Sequence, residues 1–120
     1  SLPPSLDGLR VANLGDVHVG RFVVPADLAR AVDLVQERGV DLIAVTGDLV
    51  DDPRLIEPTL DALERGPARP VLAVLGNHDK AHEAAVVAAM RRRAPRITLL
   101  VNEGVVVAHR GGSVRVVGVD

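Results

Sequence analysis

Asp41-Leu42-Ile43-Ala44-Val45-Thr46-Gly47-Asp48 is the stretch on which the reading of this chain turns. It is an apolar run with no regular polar alternation, which suits a strand buried on both faces. The Gly-Asp that closes it combines a residue free to turn sharply with a carboxylate able to bind a cation. The same phrase occurs on either side. Leu9-Arg10-Val11-Ala12-Asn13-Leu14 runs into Gly15-Asp16-Val17-His18, and Val71-Leu72-Ala73-Val74-Leu75 runs into Gly76-Asn77-His78-Asp79.

Helical patterns separate these runs. Pro25 can open a helix, Leu28, Ala31, Val32 and Val35 form one apolar stripe along it, and Gly39 can end it in the left-handed conformation. A second, shorter helix is expected from Pro58, with Leu60 and Leu63 inward and Gly66-Pro67 at its end. A third is expected from a capping Asp79 to about Ala94. Arg91, Arg92 and Arg93 then form a solvated C-terminal turn, and Pro95 stops it. Beyond it, Ile97–Val101, Val105–His109 and Val114–Val119 read as strands joined by tight turns at Asn102-Glu103-Gly104 and Arg110-Gly111-Gly112-Ser113. Strand–helix alternation of this kind predicts an α/β fold, a βαβ-type layered sheet covered on both faces. Ligands of such sheets gather beyond the carboxyl ends of the strands, where all three clusters fall.

The chain has 120 residues, 48% of them hydrophobic and 25% charged, the size and composition of one globular domain. Fourteen Lys+Arg against 16 Asp+Glu give a net charge of −2, so bulk attraction to nucleic acid or anionic membrane is not expected. Phe22 is the one aromatic residue, which excludes a base-stacking platform. No apolar run approaches the roughly 20 residues that span a bilayer. The opening Ser1-Leu2-Pro3-Pro4-Ser5 lacks the features of a signal peptide. The chain is expected to be soluble as it stands, cytoplasmic or membrane-associated only through a segment outside it. Without cysteine, any metal must be held by carboxylate, amide and imidazole groups, which favours Mn, Fe, Zn or similar ions.

Asp16 and His18 can converge on one ion, Asp48 can bridge two through its two oxygens, and Asn77 can add a neutral amide oxygen. Two ions about 3.5–4 Å apart can hold a bridging hydroxide and clamp phosphoryl oxygens, so no serine or cysteine nucleophile is needed. His78 is placed to protonate a leaving alkoxide or to steady the transferring group. Each cluster alone could be a turn or a helix cap; three at successive strand ends, spaced like βα units, point to one site. His82, four residues after His78, lacks the glutamate of a zincin-type motif and reads as a surface or capping histidine. His109 reads as structural or second to the site, and Asp51 and Asp52 as ordering the loop after Asp48. No glycine-rich Walker loop is present.

With these residues the chain resembles the calcineurin-like metallophosphoesterase superfamily. The likeness is carried by Asp16-Val17-His18, Gly47-Asp48-Leu49-Val50-Asp51 and Gly76-Asn77-His78-Asp79. It is nearest to the bacterial YkuE-like branch, through Leu6-Asp7-Gly8-Leu9-Arg10-Val11, Asn102-Glu103 and Gly118-Val119-Asp120. The resemblance implies the first half of a four-layer α/β/β/α sandwich, a single phosphoesterase domain over residues 1–120 that is truncated at its C-terminus. It implies that Asp16 and His18 bind a first divalent ion, Asp48 bridges, Asn77 binds a second and His78 is catalytic. The activity implied is hydrolysis of a small phosphomonoester or phosphodiester, nucleotide or lipid-linked. The family's later histidine and Gly-His-x-His segment would lie beyond Asp120, so this stretch alone is expected to be weakly active or inactive. Gly15 stands where many relatives have serine. The rival reading is a non-catalytic metal- or nucleotide-binding α/β module.

Overall fold

Four short apolar runs lie side by side in the computed structural model, which describes residues 4–66, 69–76 and 82–119. Strands β1 (Val11–Leu14), β2 (Leu42–Val45), β3 (Val71–Ala73) and β4 (Ile97–Leu99) form one wholly parallel sheet in the order β1-β2-β3-β4. Three helices connect them: α1 (Pro25–Glu37), α2 (Ile56–Leu63) and α3 (Glu83–Arg92). Strands laid down in sequential order through right-handed crossovers must carry all their helices on one face.

The burial pattern shows this directly. Ile43, Val45, Val71, Ala73, Ile97 and Leu99 pack with Leu28, Val32, Leu60, Leu63, Val86 and Met90 from the three helices. The alternate positions Leu42, Leu72 and Leu100 belong to a separate apolar cluster with Val107, flanked by Val105, Val114 and Val116. That second cluster is roofed by an antiparallel hairpin, β5 (Glu103–His109) and β6 (Gly112–Gly118). Arg110 and Gly111, at φ 49° and 79°, form its two-residue turn, the combination that matches the twist of paired strands. The described layers are thus helix, parallel sheet and antiparallel hairpin.

Several expectations need correcting in detail. Both faces of the sheet are covered, but by helices on one side and the hairpin on the other. The hairpin does not reach β1, whose outward Val11 is 52% exposed. The Ile97 run joins the parallel sheet as its fourth strand, and only the two later runs pair with each other. Helix α2 begins at Ile56, two residues before Pro58. A proline at that third position is tolerated because the first turn has no intrahelical acceptor for its missing N–H. A single 3-10 turn, Pro53–Leu55, leads into α2 and is capped by Asp52, whose side chain accepts from the backbone N–H of Arg54 at 3.0 Å.

Helix α1 starts at Pro25 as expected, and Asp27 accepts a hydrogen bond from the Val24 N–H at 3.0 Å. Arg91 and Arg92 are exposed, but Arg93 is not part of a solvated end. Its side chain is 15% exposed and ion-pairs with Glu57, Asp61 and Glu64, tying the C-terminus of α3 to α2. Asp79, expected to cap α3, lies outside the described residues; the helix itself begins at Glu83.

Candidate metal centre

The sheet ends where the chemistry begins. Beyond β1 and β2 the two chains keep pairing through their loops. The backbone N–H groups of Asp16, His18 and Val19 donate to the carbonyls of Gly47, Asp48 and Leu49 at 3.3, 2.9 and 2.9 Å. The Asp51 N–H returns a bond to the Val19 carbonyl at 2.8 Å. Two strand-end loops that would otherwise be free are therefore locked in register.

Within this frame the backbone takes an unusual form. Asp16, His18 and Asp48 lie at φ 54°, 53° and 50°, in the left-handed region that side-chain-bearing residues seldom adopt. Among the described residues only Asn102 and Arg110, both in tight turns, share this property. Strain of this kind costs on the order of 1–3 kcal/mol per residue and persists where surrounding structure over-determines it, commonly at functional sites.

The strained backbone turns three side chains toward one point. Ligand atoms of Asp16, His18 and Asp48 all lie within 4.8 Å of one another. The His18 Nε2 lies 4.0 Å from Asp16 Oδ1. Two bonds of about 2.1 Å to a common ion reach at most about 4.2 Å across, so small side-chain rotations would bring all three atoms onto one cation. Two carboxylates and an imidazole, with no thiolate, form a donor set suited to a divalent Mn, Fe or Zn ion. The pKa of His18 is raised, first by its hydrogen bond to Asp51 and then by the negative charges of Asp51, Asp48 and Asp16. A cation drawn to the same charges competes with that proton.

Glycine is required at two points here. A Cβ on Gly76 would lie 2.3 Å from the backbone N of Asp48 and 2.4 Å from its Oδ1. A Cβ on Gly47, itself at φ 105°, would lie 2.8 Å from the Cα of Gly76. The ends of β2 and β3 touch because neither position carries a side chain. At Gly15 a Cβ would meet only the Thr46 side chain closely, its Oγ1 at 2.6 Å.

Comparison with known proteins agrees with this geometry. The family model for the calcineurin-like phosphoesterases matches residues 9–118. The chain belongs to that family. It is 38% identical over 82 residues to a zebrafish (Danio rerio) protein described as a transmembrane protein with metallophosphoesterase domain, covering 65% of this chain and 18% of that one. It is 33% identical over 125 residues to the Bacillus subtilis metallophosphoesterase YkoQ, covering 98% of this chain and 45% of YkoQ. With YkuE of the same bacterium it shares 29% over 84 residues, or 65% and 29% of the two chains. The chain thus spans less than half the length of each of these relatives. Among the described residues no helix is long and apolar enough to cross a membrane.

Of the residues the sequence nominated for a metal site, Asp16, His18 and Asp48 come together. Asn77 and His78 lie outside the described residues. His82 precedes α3, and its Nε2 lies 3.0 Å from the Val50 carbonyl, tethering that helix to the loop after Asp48. His109 ends β5 at the opposite end of the sheet, on the side of Asp41, the residue before β2. Asp51, expected to order the loop after Asp48, has its carboxylate 3.0 Å from His18 Nδ1. The second acid of Gly47-Asp48-Leu49-Val50-Asp51 gave no sign in the sequence of facing His18, because that contact depends on pairing between two loops.

Proposed function

We propose that this chain contributes Asp16, His18, Asp48 and Asn77 to a binuclear phosphoesterase centre that hydrolyses small phosphomonoesters or phosphodiesters. The observation that carries the reading is the convergence of Asp16, His18 and Asp48 at adjacent strand ends, each held at positive φ. In this proposal Asp16, His18 and Asp48, with Asn77, would hold the divalent ions. Ions held there supply Lewis acidity for the phosphoryl oxygens and an activated water near neutral pH. The protein's own part is to fix these donors and to leave one side open. Asp16 has 83% of its side chain exposed, so a phosphoester can approach over it. His78, next to Asn77 in sequence, is the proposed proton donor to the leaving oxygen. Nucleotide and lipid-linked phosphoesters are both compatible substrates, and contact with a membrane would come from a segment outside this chain.

Hydrolysis of a chromogenic phosphodiester with and without Mn²⁺ tests the reading. Metal-dependent turnover that Asp48→Asn abolishes is the expected result. Mn²⁺ binding without turnover would leave only a non-catalytic metal-binding module.

A further inference from the structure

We propose that a cleft at the opposite end of the sheet from the metal centre, between Arg69-Pro70 and Pro95-Arg96, binds a phosphate-type oxyanion through its two guanidinium groups. Strand register creates the juxtaposition. Val71 pairs with Ile97, and the Val71 N–H donates to the Arg96 carbonyl at 3.3 Å, so an Arg-Pro and a Pro-Arg lead side by side into β3 and β4. The cleft has a volume of about 250 Å³ and is lined by Arg69, Pro70, Pro95 and Arg96; among the described residues no carboxylate lines it. The prolines bring no N–H of their own, so recognition of a ligand falls to the arginines.

Both guanidinium groups are anchored. Arg69 Nη1 donates to the Val40 carbonyl, before β2, and Arg96 Nη2 to the Glu64 carbonyl at the end of α2. These bonds leave each arginine with donors to spare. The Nε of both is buried with no hydrogen-bond partner among the described residues, donor capacity that the fold does not satisfy. Two like charges at one cleft also repel each other unless a counter-charge joins them. Acids at this end of the sheet are engaged elsewhere. Glu64 pairs with Arg93 at 3.0 Å, and Asp41 accepts from the Arg10 backbone N–H at 3.0 Å while answering the charges of both Arg110 and Arg69. A tetrahedral oxyanion supplies what is missing, negative charge and several acceptors for planar N–H forks.

Inorganic phosphate titrated into the protein at constant ionic strength, followed by arginine side-chain ¹H–¹⁵N spectra, tests the proposal. EDTA is present throughout, so no ion at the strand-end carboxylates can hold the phosphate. The Nε–H signals of Arg69 and Arg96 should shift together and saturate. Arg69→Gln and Arg96→Gln, each checked by a melting curve, should each weaken phosphate binding about tenfold to a hundredfold, the range for hydrogen bonds to charged groups. Arg30→Gln, on α1, should leave it unchanged. A second arm adds phosphatidylcholine vesicles with and without phosphatidic acid. Co-sedimentation that needs phosphatidic acid and is lost in the same two variants assigns the oxyanion to a lipid headgroup; phosphate binding without it assigns a free phosphate. Unchanged affinity in both folded glutamine variants would overturn the proposal. So would an Arg69 and Arg96 response no larger than that of the other arginines. Should the variants fail to fold, the wild-type spectra decide.

Discussion

Gly76 is where a single methyl group should separate folding from metal binding. Ordinary contact for a Cβ begins near 3.4 Å, but one on Gly76 would stand 2.3 Å from the Asp48 backbone N, an overlap of about 1 Å. Rotating the Asp48 side chain can relieve its Oδ1, 2.4 Å away, but not the backbone. That backbone is held from the other side, because the Asp48 carbonyl accepts from His18 at 2.9 Å and Val74 bonds to Val45 at 2.9 Å. The ends of β2 and β3 must therefore part by roughly the overlap. Overpacking of this size costs about 1–3 kcal/mol, a reduction that a domain stable by about 5–15 kcal/mol survives. A metal centre is less tolerant: ligand distances hold to about 0.2 Å, and a 1 Å displacement can cost about 10²-fold in turnover. Gly39→Ala is the control. Its φ of 70° makes alanine unfavourable by about 1–2 kcal/mol, but a Cβ there meets nothing within 4 Å. Urea unfolding of both variants should give losses of similar size. Isothermal titration with Mn²⁺ should show affinity reduced at least about tenfold for Gly76→Ala, the lower end of losses seen when the supports of a metal ligand are removed, and unchanged for Gly39→Ala. Equal Mn²⁺ affinity in Gly76→Ala and wild type would refute the argument that this contact sets the place of Asp48.

Three further outcomes can be checked with purified protein. Mn²⁺ at a hundred times its dissociation constant should raise the unfolding free energy by about 2.7 kcal/mol, seen as a higher melting temperature, and Asp48→Asn should remove the shift. Thr59 is wholly buried and its Oγ1 has no hydrogen-bond partner among the described residues, so Thr59→Val should stabilise the fold by about 1 kcal/mol in chemical denaturation. The pKa of Glu57 is lowered from its ordinary 4.5 by hydrogen bonds from Arg93 and then Arg92. Its contribution is therefore full above the ordinary carboxylate range and is lost as pH falls through the lowered folded-state value. Arg93→Met should flatten that part of the acid-unfolding curve while leaving stability at pH 7 less dependent on Glu57→Gln.

The parallel strands and α1 were legible because their signals are local. Leu28, Val32 and Val35 repeat at helical spacing, and Leu42–Val45 is too uniformly apolar for anything but a buried element. The start of α2 is not legible because Pro58 looks like a first residue, while the helix in fact follows the turn that Asp52 caps. Arg93 looked like a solvated charge because its partners Glu57, Asp61 and Glu64 lie on another helix. Placement of the Ile97 run could not be read either, since an apolar strand of three residues fits a parallel or an antiparallel neighbour equally well.

The amino-acid order alone settled which donors exist, where they stand relative to the strands and that thiolates are excluded. Gly-Asp and Asp-x-His chemistry is written in consecutive residues and needs no neighbour to be recognised. Only the folded chain decided that Asp16, His18 and Asp48 share one volume and that Asp51 rather than Asp52 faces the imidazole. Those facts come from the hydrogen-bonded register between residues 16–20 and 47–51, groups about thirty positions apart along the chain, and contacts at that separation are set by the sheet that aligns them.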